Sequence, residues 1–206
     1  MYWAEFLTIA VAHLFAVASP GPDFVIVTRQ SVTGGTRLGL WTSAGVGAGI
    51  LVHVSYCILG VAILLSQSPT LFNSMKYIAA AYLGFLGIQS LRASMKPIEA
   101  DVGDQQSALT IKQAFWSGFL TNGLNPKATL FFLALFTVVI DIETPTVIQV
   151  MYGIYLAVAT FIWFAMLSTI LGKARVREFM LSAGAWFERG MGIVLIFLAV
   201  QIVIFA

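Results

Sequence analysis

The sequence predicts an all-α integral membrane protein: six transmembrane helices arranged as two inverted three-helix repeats, with the first helix of each repeat broken at proline. Three observations lead there. Of 206 residues, 59% are hydrophobic and only 10% are charged, whereas a soluble domain carries about 25% charged residues. So few charges cannot solvate a globular surface. The apolar residues fall in six runs, Ala4–Thr28, Leu38–Leu65, Thr70–Leu91, Ala114–Ile140, Val147–Leu171 and Ala185–Phe205. Each is near or above the ~20 residues that cross a hydrocarbon core of about 30 Å. The basic residues, finally, collect in alternate connections.

The first run opens with Met-Tyr-Trp-Ala-Glu. It lacks the leading bases of a signal peptide and is too long for one, so it reads as a membrane helix. Its second half holds Ser19-Pro20-Gly21-Pro22-Asp23, which a helix interior tolerates poorly. The second run carries Gly45-Val-Gly47-Ala-Gly49, His53 and the single Cys57. One thiol excludes a disulfide framework. The third run carries Ala79-Ala-Ala-Tyr-Leu-Gly84 and Gly87. Such small-residue faces suit close helix contacts, within one chain or between two, so a homodimer stays open. Arg92–Gln113 is polar and reads as a loop. The fourth run is interrupted by Asn122-Gly-Leu-Asn125-Pro126-Lys127. The fifth and sixth are continuous, and Gly172–Arg189, with Arg175, Arg177, Glu178 and Glu188, reads as a connector along the inner surface.

Orientation follows from the bases. Arg29 and Arg37 lie in the first connection, Arg92, Lys96 and Lys112 in the third, and Lys173, Arg175, Arg177 and Arg189 in the fifth. The opposite side holds Lys76 alone, and Lys127 lies inside the fourth run. Positive loops stay in the cytoplasm, so both termini face outward. The chain is then one transmembrane domain over 1–206: repeat one 1–91, a cytoplasmic loop 92–113, and repeat two 114–206. Three helices per repeat place the second half upside down relative to the first. The matched interruptions, Ser19-Pro20 and Asn125-Pro126, are 106 residues apart.

Both breaks fall near the bilayer midplane; Pro20, for example, is about 13 Å from Arg29 at helical rise. Backbone freed there must be buried in protein or face a cavity. A plain proline kink is the bland explanation, but paired prolines beside an acid, mirrored by Asn-Pro-Lys, favour a site. Ser19, Pro20, Gly21, Pro22, Asp23, Asn122, Asn125, Pro126 and Lys127 are therefore the substrate-binding candidates. Asp23 is read as the one acid well inside a span and is a candidate for proton coupling; a capping role is compatible with this. Lys127 either pairs with Asp23 or binds a substrate carboxylate as a point charge. His53, mid-span, is of the residue type whose unperturbed charge change falls near neutral pH and is the second proton-coupling candidate, with hydrogen-bonded packing as the alternative. His13 is a weaker one. Two His and one Asp on different helices make a poor metal site, so neither metal nor cofactor is expected. No Gly-x-x-x-x-Gly-Lys-Ser/Thr or His-Glu-x-x-His occurs, which argues against ATP hydrolysis and metalloenzyme chemistry. No feature calls for nucleic acid.

Two motifs, Ser19-Pro-Gly-Pro-Asp-Phe24 and Gly118-Phe-Leu-Thr-Asn-Gly-Leu-Asn-Pro-Lys-Ala128, resemble the lysine exporter (LysE/RhtB) family of bacterial amino-acid efflux proteins. The likeness runs from Phe6 to the last helix. The Asp after Pro-Gly-Pro and the Thr-Asn before Asn-Pro-Lys are similar to the threonine and homoserine exporter branch. The resemblance implies a multi-pass protein of the bacterial inner membrane that is not an enzyme. It would export a small amino acid or derivative by proton antiport, its partners being the substrate, protons and the lipid bilayer. Export of another solute, a homoserine lactone or a cation, is the alternative, and a membrane-embedded enzyme a more distant one.

Overall fold

The computed structural model describes residues 2–67, 69–93, 109–141, 143–170 and 174–205, and these are helical almost throughout. The order is α1 Tyr2–Ala18, α2 Pro22–Thr33, α3 Gly35–Gln67, α4 Pro69–Ala93, α5 Ile111–Gly123, α6 Pro126–Ala134, α7 Thr146–Ile170 and α8 Ala174–Phe205. A π-turn, Leu135–Val139, extends α6. Most of the predicted loop, 94–108, lies outside the described residues.

Local chemistry sets these boundaries. Pro22 and Pro126 each open a helix, where a missing N–H costs nothing and φ is already helical. The α2 end is closed by Gly34 N–H on Gln30 O at 3.0 Å. Gly35 then takes φ 78°, a left-handed conformation that suits glycine, and α3 starts. Thr110 and Gln113 cap α5 reciprocally: Gln113 N donates to Thr110 Oγ1, and Thr110 N donates to Gln113 Oε1, as a capping box does.

Among the described residues, three helical segments are long and apolar enough to cross a membrane: Gly35–Gly60, Thr146–Ile170 and Trp186–Ile204. The bent pair α1–α2 makes a fourth if it counts as one span. The six predicted spans are thus met only in part by length and composition. Thirteen-residue α5 reaches about 20 Å at helical rise before its break, and polar residues such as Asn73, Lys76 and Gln89 dilute α4.

α3 is the central packing element. It runs parallel to α5, and a Cβ on Gly45 would collide with the Phe115 carbonyl, one on Gly118 with the Thr42 carbonyl. It runs antiparallel to α7, with Gly47 against Ala157 and Phe161 and Gly153 against Val54. α4 and α8 form a second antiparallel pair in which Gly87 and Gly192 face each other. The glycine faces are therefore consumed within one chain. Residues 174–189, expected as a connector, form the first half of the continuous helix α8, and the apolar span within that helix begins at Trp186; the side chains of 174–185 lie outside the described residues.

Candidate functional site

The first break begins where α1 ends. Ser19 N still reaches Phe15 O at 3.0 Å, but Pro20 cannot donate, and Gly21 is extended (φ −168°, ψ −169°). The chain turns by 55° into α2. Asp23 enters in the first turn of that helix, where the N-terminal dipole favours a carboxylate. At the second break Leu124 N and Asn125 N close back on Leu120 O and Asn122 O at 3.0 and 2.9 Å. Asn125 Oδ1 then accepts from Lys127 N at 3.0 Å and caps α6.

The two breaks meet and hold each other's side chains. Asn122 Nδ2 donates to Asp23 Oδ2 at 2.9 Å, and Asn125 Nδ2 reaches the same oxygen at 3.3 Å. In return, Lys127 Nζ donates to Ser19 Oγ at 2.7 Å. Among the described residues the ion-pair partner of Lys127 is Glu188, with Nζ 3.8 Å from Oε1. A direct pair with Asp23, one of the two readings open from sequence, is not what forms.

A cavity of about 50 Å³ opens beside this junction. Ser19, Gly21, Asp23, Asn122, Asn125 and Lys127 line its polar side; Phe24, Phe131, Phe132 and Phe164 supply much of the rest. Pro20, Pro22 and Pro126 shape the turns without lining it. Asp23 Oδ1 and Asn122 Oδ1 are buried with no hydrogen-bond partner among the described residues, which is costly unless something donates to them.

His53 stands behind the site rather than in its wall. Its Nε2 donates to Asn122 O at 3.0 Å, its Nδ1 lies 2.7 Å from Tyr56 Oη, and its ring stacks on Phe132 with centroids 5.4 Å apart. Since a carbonyl only accepts, the proton of the neutral ring sits on Nε2 and Tyr56 donates to Nδ1. The freed carbonyl of the second break is thus already bonded, as is the Lys127 amide. These two backbone groups of the second break are satisfied inside the protein.

Sequence reasoning did not bring Glu188 to the site: as the fourth residue of the run Ala185–Phe205 it reads as interfacial, whereas the structure sets its carboxylate 3.8 Å from Lys127 Nζ. Thr160, which lines the cavity beside His13, gave no signal at all. Among the described residues no group of three or more His, Cys, Asp or Glu is placed to hold a metal ion.

Residues 14–205 match the family model of the LysE type translocator. The threonine efflux protein of Escherichia coli (strain K12) is 26% identical over 186 residues, 89% of each chain. That of Salmonella typhi is 25% identical over the same shares. An uncharacterised membrane protein of Pseudomonas aeruginosa is 34% identical over 140 residues, 66% of this chain and 64% of its own. No solved structure gives a significant match.

Proposed function

Because the chain belongs to the LysE type translocator family, a family of transporters and not of enzymes, we propose that it exports a small amino acid, threonine- or homoserine-like, in exchange for protons. The carrying observation is Asp23, whose buried Oδ1 has no hydrogen-bond partner among the described residues, in the wall of a cavity that Asn122 and Lys127 also line. An ammonium group offers three N–H donors to such an acceptor, and a carboxylate suits the Lys127 ammonium and the Ser19 hydroxyl beside it. A zwitterion satisfies both ends at once. Relatives named for threonine efflux support the same cargo class.

In this reading Asp23 binds the substrate ammonium when ionised and takes a proton as the amino acid leaves. His53 is the second coupling group. It bonds the carbonyl of the residue whose side chain donates to Asp23, so a change in its protonation is felt at the site.

The proposed architecture is six spans in two inverted repeats, joined by the cytoplasmic loop, in the bacterial inner membrane with both termini outside. Internal spacing supports the repeat. Pro20 and Pro126 are 106 residues apart, Gly47 and Gly153 also 106, and Gly87 and Gly192 105. A two-fold relation with this offset carries the Gly47 contact on α7 to the Gly153 contact on α3, and exchanges Gly87 with Gly192. The halves would then rock about the fixed site to alternate access. The test is purified protein in liposomes loaded with a panel of amino acids. Exchange of labelled threonine or homoserine against internal substrate is expected, and failure to move any amino acid would end the proposal.

A further inference from the structure

We propose that His13 and Thr160 form a side-chain subsite that selects a hydroxyl-bearing amino acid, an inference that rests on the amino-acid export reading. The two residues stand on different helices, α1 and α7, and both line the cavity that Asp23 and Lys127 share. They are 4% and 2% exposed, with His13 Nε2 2.9 Å from Thr160 Oγ1.

Counting hydrogens shows what this pair lacks. A neutral imidazole and a hydroxyl bring two protons and share one between them. If Nε2–H donates, the Thr160 O–H and the Nδ1 lone pair remain unused. With the other tautomer, Thr160 donates, and the Nδ1–H and a hydroxyl lone pair remain. Either way one donor and at least one acceptor are left, and among the described residues neither side chain makes another hydrogen bond. Other hydroxyls of α7 differ: Ser168 donates to Phe164 O at 2.8 Å and Thr169 to Met166 O at 2.7 Å. Thr160 has no such backbone bond.

A hydroxyl is the group that both donates and accepts, so it complements the leftover pair in either tautomer. The same cavity is also lined by the apolar side chains of Ile50, Phe131, Phe132 and Phe164. A methyl group in place of the hydroxyl would leave the donor and acceptor of the protein unmet.

The test uses the intact protein in liposomes and compares threonine with valine, which has a methyl where threonine has its hydroxyl. Wild type should exchange threonine about tenfold better than valine, as the loss of a buried hydrogen bond implies. In Thr160→Val the ratio should fall toward one, and Thr160→Ser should restore it. Elution as a single species in detergent and an unchanged unfolding temperature would confirm that the variants fold. A ratio in Thr160→Val equal to that of wild type, or a wild type that moves both amino acids equally, overturns the subsite while leaving amino-acid export intact. A wild type that moves neither of these, nor homoserine or any other amino acid, overturns both.

Discussion

Lys127 shows how one side chain ties the site together. It donates to Ser19 of the opposite break at 2.7 Å and faces Glu188 of α8 at 3.8 Å. If it binds the substrate carboxylate, Lys127→Met should weaken exchange of the free amino acid by about 10- to 100-fold, the range of a hydrogen bond to a charged group. The methyl ester of the same amino acid should bind wild type and variant alike. Equal losses for acid and ester in competition assays would mean that Lys127 serves the fold rather than the carboxylate. Little of this was legible in the sequence at the residue scale. Asp23 and Lys127 stand out as charges inside apolar runs. Their partners do not, because Asn122 lies 99 residues from Asp23 and Ser19 lies 108 from Lys127. Only folding brings such pairs together.

At the scale of elements, proline was the most informative residue. Pro22 and Pro126 begin α2 and α6, and both interruptions were readable because a ring without an N–H has few places in a helix. Helix lengths were less readable. The start of α8 at Ala174 is polar enough to read as surface, so its continuity, and with it the placing of Glu188, was lost. The close α3–α5 contact yields a prediction of its own. Gly45→Leu must push its side chain into the Phe115 backbone, and overpacking of this kind costs about 1–3 kcal/mol. A lower unfolding temperature in detergent is expected, whereas Gly123→Ala, where a Cβ meets nothing within 4 Å, should leave packing alone. Equal melting of the two variants would contradict the tight α3–α5 seam. Removing the α6 cap with Asn125→Ala should cost about 1 kcal/mol and also take one donor from Asp23. That variant should therefore lose exchange activity beyond its loss of stability; a purely proportional loss would confine Asn125 to capping.

In the whole molecule, two antiparallel helix pairs, α3/α7 and α4/α8, accompany a pair of broken helices that meet at one cavity. The proposed topology is open to direct labelling. In a Cys57→Ser background, single cysteines near residue 2 or 206 should react with an impermeant thiol reagent from outside intact cells, and one near residue 100 only after lysis. The reverse pattern would invert the orientation. Proton coupling through Asp23 is tested by following proton movement during threonine exchange in liposomes carrying wild type or Asp23→Asn. An imposed pH gradient should drive threonine uphill in wild type, and Asp23→Asn should lose this response, with any residual exchange indifferent to pH. Uphill threonine movement in Asp23→Asn equal to that of wild type would contradict it.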